Sequence, residues 1–315
     1  MFVRASRRSI QVIATVAPLL VACGGDPRAA SRGAASTGGA IVVVDDAGDT
    51  LRLATPAKRV ISLIPSATET IIAIGAKDRI VGRTRYDVAK DVEGVPSVGG
   101  GLDPSTEAIV ALHPDVVIGW DNDKRRAIRT KLATLNIPVF SLRTQDTSDI
   151  FRGIANLGKI VGRDSAANVL ASSIRETIDS VRRAVSGRPT RSVMFVIYPE
   201  PPMTAGPHTF IDELIGVAGG HSVFDDSHDL WPTVSMEEVV KRQPDLLIVP
   251  QGEFKANALD EFRGRNGWRD LKAVREGHIS TVSADLTQRP GANIGEAARA
   301  LQAAIHPETV SSRAK

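Results

Sequence analysis

Short apolar runs alternate along the chain with longer segments of helical periodicity. Strands that alternate with helices in this way are typical of α/β folds with mainly parallel sheets. A polar turn at residues 45–49 lies between two further apolar runs and predicts a small hairpin. The runs that predict buried strands are residues 60–64, 116–120, 138–142, 193–197, 246–249 and 279–282.

A long segment near the middle of the chain has no strand pattern. Residues 165–186 contain neither proline nor glycine, so we predict one long backbone helix there. This helix would join two similar α/β lobes with mainly parallel sheets. The predicted boundaries are 40–147 for the N-terminal lobe, 148–188 for the helical connection, 189–306 for the C-terminal lobe and 307–315 for a tail.

The two predicted lobes contain an internal repeat. Residues 105–118 align without a gap with residues 235–248, and each copy has Ser-x-Glu, then Pro-Asp and an apolar run. Ser66 and Glu69 have the spacing of a capping box at a helix start, as do Ser235 and Glu238. Two similar lobes joined by one helix leave a cleft between them, where ligands usually bind.

The repeat places Glu107 and Glu237 at equivalent positions in the first turns of equivalent helices. Each residue alone is accounted for by its favourable interaction with the helix dipole. As a matched pair, one carboxylate on each lobe, they would suit docking onto basic residues of a two-subunit partner.

Aromatic side chains make up only 4% of the residues, so their positions after predicted strands are informative. Tyr86, Trp120, Tyr198 and Trp231 lie where chain ends are expected to face the cleft. They would offer flat surfaces to a large planar ligand. Packing within the core is the alternative for each of them.

Polar side chains follow the last predicted strand. Asp285, Gln288 and Arg289 would hydrogen-bond the polar edges of a ligand there. The ordinary polarity of a surface loop accounts for them as well.

The first 22 residues have the pattern of a secretory leader. Three arginines precede an apolar run that is too short to span a bilayer, and Leu20-Val-Ala-Cys23 follows. This is a lipobox, so we expect Cys23 to be lipidated and to begin the mature chain. The Gly, Ala and Ser-rich residues 23–39 would tether the lipid to the folded part. We therefore expect an exported protein, periplasmic or on the outer face of the cell membrane; a free thiol at Cys23 is the alternative.

Charge and motifs exclude several classes of function. The leader holds three of the 39 basic residues and no acidic ones, so residues 23–315 contain 36 basic and 36 acidic side chains. The mature chain therefore has no excess of basic residues with which to bind nucleic acid. The sequence contains neither a Gly-x-Ser-x-Gly elbow nor a His-Glu-x-x-His helix, and residues 153–159 resemble a phosphate-binding loop only in spacing. We expect no enzyme. Acidic and histidine residues at 221–229 suggest either a metal site or a solvated loop.

Together these motifs give the chain a family resemblance. Residues 62–69, the two Ser-x-Glu and Pro-Asp repeats, residues 201–206 and residues 231–237 resemble those of periplasmic binding proteins of cobalamin and iron-chelate ABC importers. The resemblance covers about residues 58–305. It is nearest to the vitamin B12-binding branch, through Trp120, Pro201-Pro202 and Trp231-Pro232.

The resemblance implies the docking partner. In that family one glutamate on each lobe pairs with arginines of the permease dimer, and the matching positions are Glu107 and Glu237. The implied partners are a permease dimer with its ATPase subunits, the membrane through the lipid anchor, and a small-molecule metal chelate. We expect a monomer without an intrinsic cofactor. A lipoprotein that presents the same fold to a sensory receptor is the alternative.

The resemblance also implies the ligand site. Tyr86, Trp120 and Trp231 match positions whose rings hold the corrinoid, and Tyr198 and Met203 line the neighbouring loop. Cobalamin binders place a tryptophan near residues 99–101, where this chain has only glycine. We expect the protein to capture cobalamin or a related corrinoid in the inter-lobe cleft and deliver it to the permease, with a ferric siderophore or a haem as the alternative ligand.

Overall fold

The computed structural model describes residues 40–121, 126–252 and 257–311. The β-strands are β1 (Ile41–Val44), β2 (Thr50–Leu53), β3 (Val60–Ser62), β4 (Ile80–Gly82), β5 (Val116–Trp120), β6 (Val139–Leu142), β7 (Arg191–Pro199), β8 (Pro202–Thr204), β9 (Gly220–Ser222), β10 (Leu246–Gln251) and β11 (Ile279–Ser283). The α-helices are α1 (Pro65–Ala73), α2 (Thr106–Ala111), α3 (Arg126–Thr134), α4 (Thr147–Val161), α5 (Asp164–Val185), α6 (Phe210–Val217), α7 (Met236–Arg242), α8 (Ala258–Gly264), α9 (Lys272–Glu276), α10 (Ala284–Gln288), α11 (Ile294–Ile305) and α12 (Glu308–Ser311).

Two mainly parallel sheets form the two lobes, which confirms the predicted fold class. The sheet of the N-terminal lobe has the order β4-β3-β5-β6, with parallel pairs throughout. The sheet of the C-terminal lobe has the order β11-β10-β7-β8, and β9 also pairs with β7; only the β7–β8 pair is antiparallel. The predicted hairpin forms a separate antiparallel pair, β1–β2.

The internal repeat is visible in the backbone. Ser105 and Ser235 each cap a helix, α2 and α7, by accepting a hydrogen bond at 3.1 Å from the N–H three residues later. Both units then turn through a left-handed residue, His113 at φ 43° and Gln243 at φ 44°. The copies therefore match in backbone conformation as well as in sequence.

The aspartate of each Pro-Asp pair ties its unit to a neighbouring strand. Asp115 accepts hydrogen bonds from the backbone N–H groups of Lys58 and Arg59, which precede β3. Asp245 accepts from the N–H and hydroxyl of Ser192 in β7, and the hydroxyl bond lowers the pKa of Asp245. This shared contact explains why both copies carry an aspartate at the start of the strand.

The helical connection consists of two helices rather than one. The predicted long helix is confirmed as α5, which has 22 residues. α4 precedes it, contains the segment that resembled a phosphate-binding loop, and ends at Gly162 in a left-handed conformation with φ 66°. The glycine permits this turn because it has no Cβ.

One apolar core runs through both lobes. Its largest cluster joins Val60 and Val116 of one sheet to Val193 and Ile248 of the other. Side chains of α4, α5 and α11 connect the two sheets within that cluster. Apolar packing is thus continuous from lobe to lobe, which opposes independent movement.

The start of α1 differs from its prediction. The N-cap residue is Ile64, Pro65 occupies the first turn, and Ser66 is buried inside the helix without capping it. Proline is favoured at the first helical position because its missing N–H would have no intrahelical partner there. The capping box predicted for Ser66 and Glu69 is therefore wrong, whereas Ser235 does cap α7.

The C-terminal residues that the structure describes include one short helix. The predicted tail contains α12 over residues 308–311. Across the described ranges, no helix combines the length and the apolar character needed to cross a membrane.

The contact between α4 and α5 yields a stability prediction. A Cβ on Gly158 would lie 2.5 Å from the Cβ of Ala167, whereas one on Gly153 in the same helix would meet Leu142 at an ordinary 3.5 Å. Gly158→Ala should lower the free energy of unfolding by about 1–2 kcal/mol through overpacking. Gly153→Ala is the matched control and should leave it unchanged or raise it by up to about 1 kcal/mol. Urea denaturation measures both, and equal effects would contradict close packing at Gly158.

The continuous core also predicts that the lobes keep their relative orientation when a ligand binds. Small-angle scattering and crystal structures of the free and ligand-bound protein should superpose without a large lobe rotation. A hinge-type closure of the kind seen in other binding proteins would contradict this prediction.

Candidate functional site

A cavity of about 480 Å³ lies between the two lobes. Its wall includes Trp120 at the end of β5, Arg143 directly after β6, Tyr198 in β7 and Pro250 in β10. The carboxyl ends of parallel strands from both sheets therefore meet at this cavity. That is the usual position of a ligand site in open α/β sheets.

Three of the four predicted aromatic residues, together with Met203, lie on the wall of this cavity. Trp120, Tyr198, Met203 and Trp231 all line the cavity. Tyr198 is 54% exposed and Trp231 37% exposed, so neither ring is enclosed in the core. Large apolar side chains exposed within a cleft are typical of ligand-binding surfaces.

Phe210, which sequence reasoning missed, supports the wall of the cavity. Its ring meets that of Trp231 edge to face, with centroids 6.4 Å apart and an interplanar angle of 63°. Its backbone N–H donates to the carbonyl of Gln145 in the other lobe at 2.7 Å. Phe210 thus orients Trp231 and also links the two lobes.

Tyr86 lies beside a second cavity of about 490 Å³. Trp120 lines both cavities, so the two adjoin at this residue. Tyr86 is 61% exposed, and the guanidinium of Arg85 lies 5.5 Å from the centroid of its ring. The four predicted aromatic residues therefore surround two adjoining spaces rather than one.

The run of glycines at 99–101 has a structural reason. Gly99 has φ 106°, a conformation that other residues rarely adopt. A Cβ on Gly100 would lie within 3 Å of the side chains of Asp103 and Arg85, which form an ion pair at 2.6 Å. In this chain the Arg85–Asp103 pair occupies the space beside the backbone, so a tryptophan at position 100 would require it to move.

Arg143 is another of the wall residues that sequence reasoning missed. Its Nε donates to a carboxylate oxygen of Asp149 at 3.0 Å, and this hydrogen bond raises the pKa of Arg143. Burial alone would raise the pKa of Asp149, but hydrogen bonds from Arg143 and Arg152 outweigh it and lower that pKa. Arg143 directly follows a predicted strand, and that position was the available signal.

The polar residues after β11 separate in the structure. Gln288 lines the inter-lobe cavity. Neither Asp285 nor Arg289 lies on the wall of either cavity described above. Arg289 instead forms ion pairs with Asp285 and with Glu69 of α1, the latter at 2.7 Å.

Glu107 and Glu237 are exposed in the first turns of α2 and α7. Hydrogen bonds from its own backbone N–H and from the Ser105 hydroxyl lower the pKa of Glu107. The carboxylate of Glu107 thus stays ionised over a wide pH range. Equivalent helices present both residues to solvent, one from each lobe.

The structure contains no cluster of three metal-ligating side chains in its described ranges. In the loop at 221–229, His221 and Asp225 lie 3.4 Å apart, while Asp226 pairs with Arg242 at 2.6 Å. Asp226, one of the carboxylates that a metal ion would need, is thus paired with Arg242 instead. Cys23 lies outside the described residues.

Known proteins resemble this chain over most of its length. It is 27% identical over 277 residues to the ABC transporter substrate-binding lipoprotein YvrC of Bacillus subtilis strain 168, a match that covers 85% of this chain and 86% of that protein. It is 27% identical over 278 residues to a cobalamin-binding protein of Halobacterium salinarum strain R1, covering 85% and 75% respectively.

Solved structures share the fold. A possible iron-binding periplasmic solute-binding protein from Staphylococcus epidermidis ATCC 12228 superposes with a TM-score of 0.71 at 26% identity, covering 80% of this chain and 100% of that one. Residues 60–286 match the family model that is described as "Periplasmic binding protein". The chain therefore belongs to the periplasmic binding protein family, whose members bind solutes and are not enzymes.

Proposed function

We propose that this protein captures a corrinoid such as cobalamin in the inter-lobe cleft and delivers it to the permease of an ABC importer. Substrate-binding proteins of such importers work with permease and ATPase subunits. The observation that carries the choice of ligand is the arrangement of Trp120, Tyr198, Trp231 and Met203 around one cavity. Such a wall suits a large, flat and mostly apolar ligand face.

The size of the site supports a large ligand. The inter-lobe cavity and the cavity beside Tyr86 adjoin at Trp120. A bulky ligand would extend across Trp120 from one space into the other. The relative from Halobacterium, which is described as a cobalamin-binding protein, agrees with this choice.

A ferric siderophore or a haem is the second candidate ligand. Arg143 favours it, because this residue lines the cavity and a guanidinium suits a carboxylate or another anionic edge of a chelate. The Staphylococcus structure, described as possibly iron-binding, agrees with this alternative. Both candidates use the same cleft and the same importer.

Glu107 and Glu237 would dock the protein onto its permease. Both carboxylates are exposed, and both lie in the first turn of equivalent serine-capped helices. Such a matched pair suits basic groups related by the symmetry of a permease dimer. Lipidation at Cys23 would hold the protein on the outer side of the membrane, beside that permease.

The ligand assignment is tested by titration. Calorimetry, with tryptophan fluorescence as a second probe, should detect saturable binding of cyanocobalamin and of cobinamide. Trp231→Ala should weaken the binding free energy by about 1–3 kcal/mol, the contribution of burying and stacking a large ring. Trp231→Phe is the matched control and should lose less, because it keeps an aromatic face.

Either of two outcomes would contradict this assignment. Binding of haem or of a ferric siderophore without corrinoid binding would replace the ligand and leave the importer role in place. Unchanged corrinoid affinity in Trp231→Ala would remove this residue from the ligand site.

The docking assignment predicts a separation of transport from binding. The double variant Glu107→Ala and Glu237→Ala should abolish ligand uptake in cells that express the cognate permease, while the affinity of the purified protein stays unchanged. The matched control is Glu176→Ala with Glu296→Ala, which removes two exposed glutamates from α5 and α11. If the docking variant loses ligand affinity instead, these glutamates belong to the ligand site.

A further inference from the structure

The lobes meet directly beneath the cleft. A Cβ on Gly291 would lie 2.9 Å from the carbonyl oxygen of Ser66 and 3.0 Å from the hydroxyl of Thr70, so residue 291 touches α1 through its backbone. On the N-terminal side of Gly291, Gln288 and Pro290 line the cavity. The segment at 288–291 of the C-terminal lobe is therefore both the floor of the cleft and a contact with the N-terminal lobe.

Arg289 lies in the middle of this floor, and its side chain points away from the cavity toward α1. Its Nη1 donates to Oε1 of Glu69 at 2.7 Å. Asn293 donates to the other oxygen of Glu69 at 3.3 Å. Asp285 binds Nη2 of the same guanidinium. The four side chains form one network that crosses from α1 to the C-terminal lobe.

This network is shielded from water at its centre. The side chains of Arg289 and Glu69 are only 15% and 18% exposed, whereas that of Asp285 is 72% exposed. Hydrogen bonds between charged groups in such surroundings are short and directional. Glu69 and Asp285 bind different nitrogens of the guanidinium, and this also fixes the orientation of Arg289.

The surroundings of Glu69 act on the pKa of its carboxyl in opposite directions. Burial is the largest influence on this carboxyl and raises its pKa. Arg289 acts in the opposite direction, while the carboxylates of Asp285 and Asp87 add to the rise. Burial thus disfavours the ionised form of Glu69, and the cost of desolvating a buried ion pair can exceed the attraction between its charges.

We propose that the Glu69–Arg289 ion pair is a strut between the lobes that sets the width of the cleft. Glu69 and Arg289 are then positioning residues for ligand binding, acting through Gln288 and Pro290 on the cavity floor. The effect on affinity rests on the proposed function, whereas the effect on lobe separation does not.

The test compares Glu69→Gln with a matched control. Glu238→Gln removes an equally short ion pair, in which Arg242 Nε lies 2.7 Å from Glu238 within the C-terminal lobe. Spin labels at Ala111→Cys and Arg263→Cys, on exposed positions of α2 and α8 in a Cys23→Ser background, report the distance between the lobes. Glu69→Gln should broaden or shift this distance distribution, and Glu238→Gln should leave it unchanged.

Ligand affinity is the second readout. Glu69→Gln should weaken corrinoid binding about tenfold, because a cleft of altered width would contact the ligand less closely. Asp285→Asn leaves the Glu69–Arg289 contact in place and should have a smaller effect. Because the pKa of Glu69 is raised, the affinity of the wild type should fall toward that of Glu69→Gln on mild acidification, at a higher pH than an exposed glutamate would give.

The outcomes separate this proposal from the assignment of the ligand. If Glu69→Gln folds and shows unchanged lobe distances and affinity, the strut proposal is overturned. If Glu238→Gln shifts the distances equally, the effect is not specific to the inter-lobe pair, and the proposal is also overturned. If the wild type binds no corrinoid, the proposed ligand fails, while the distance measurement still decides the role of the strut.

Discussion

The apolar core that passes without interruption from one sheet to the other is the constraint on which the rest of the structure depends. Side chains of α4, α5 and α11 fill the space between the sheets, so the two lobes share one interior. The shared core fixes the place at which the carboxyl ends of the strands of both sheets meet. The cleft lies where the loops that follow those ends meet.

Polar contacts refine the position that the core determines. The backbone bond from Phe210 to Gln145 and the bond from the Thr147 N–H to Glu213 tie α6 to the start of α4. The ion pair between Glu69 and Arg289 acts at the floor of the same cleft. Directional bonds of this kind add modest net stability, yet they select one arrangement among several of similar apolar burial.

Much of this architecture could be predicted from the sequence because its signals are local. The strand at 116–120 is a wholly apolar run, and the structure has the same bounds for β5. Trp120 and Tyr198 could be assigned to the cleft because each lies at or near the end of a strand. Trp231 was assigned from its place before the second repeat helix, and Met203 only from the family resemblance. The role of Glu69 could not be predicted, since Arg289 is 220 residues away in the chain. Nor could a sequence pattern distinguish Arg289, which faces α1, from its neighbour Gln288, which faces the cavity.

Because the two lobes share one core, a transporter has fewer ways to distinguish the ligand-bound protein from the empty one. A hinged binding protein signals its loaded state by a new overall shape, whereas a continuous core predicts that the outer surfaces of α2 and α7 keep the same spacing when the cleft is filled. A transporter that grips those helices would hold empty and loaded forms alike. Under the proposed function, discrimination would fall to the mouth of the cleft. A bound molecule there would cover exposed rings such as Tyr86 and Tyr198 and would itself become part of the surface that the transporter contacts.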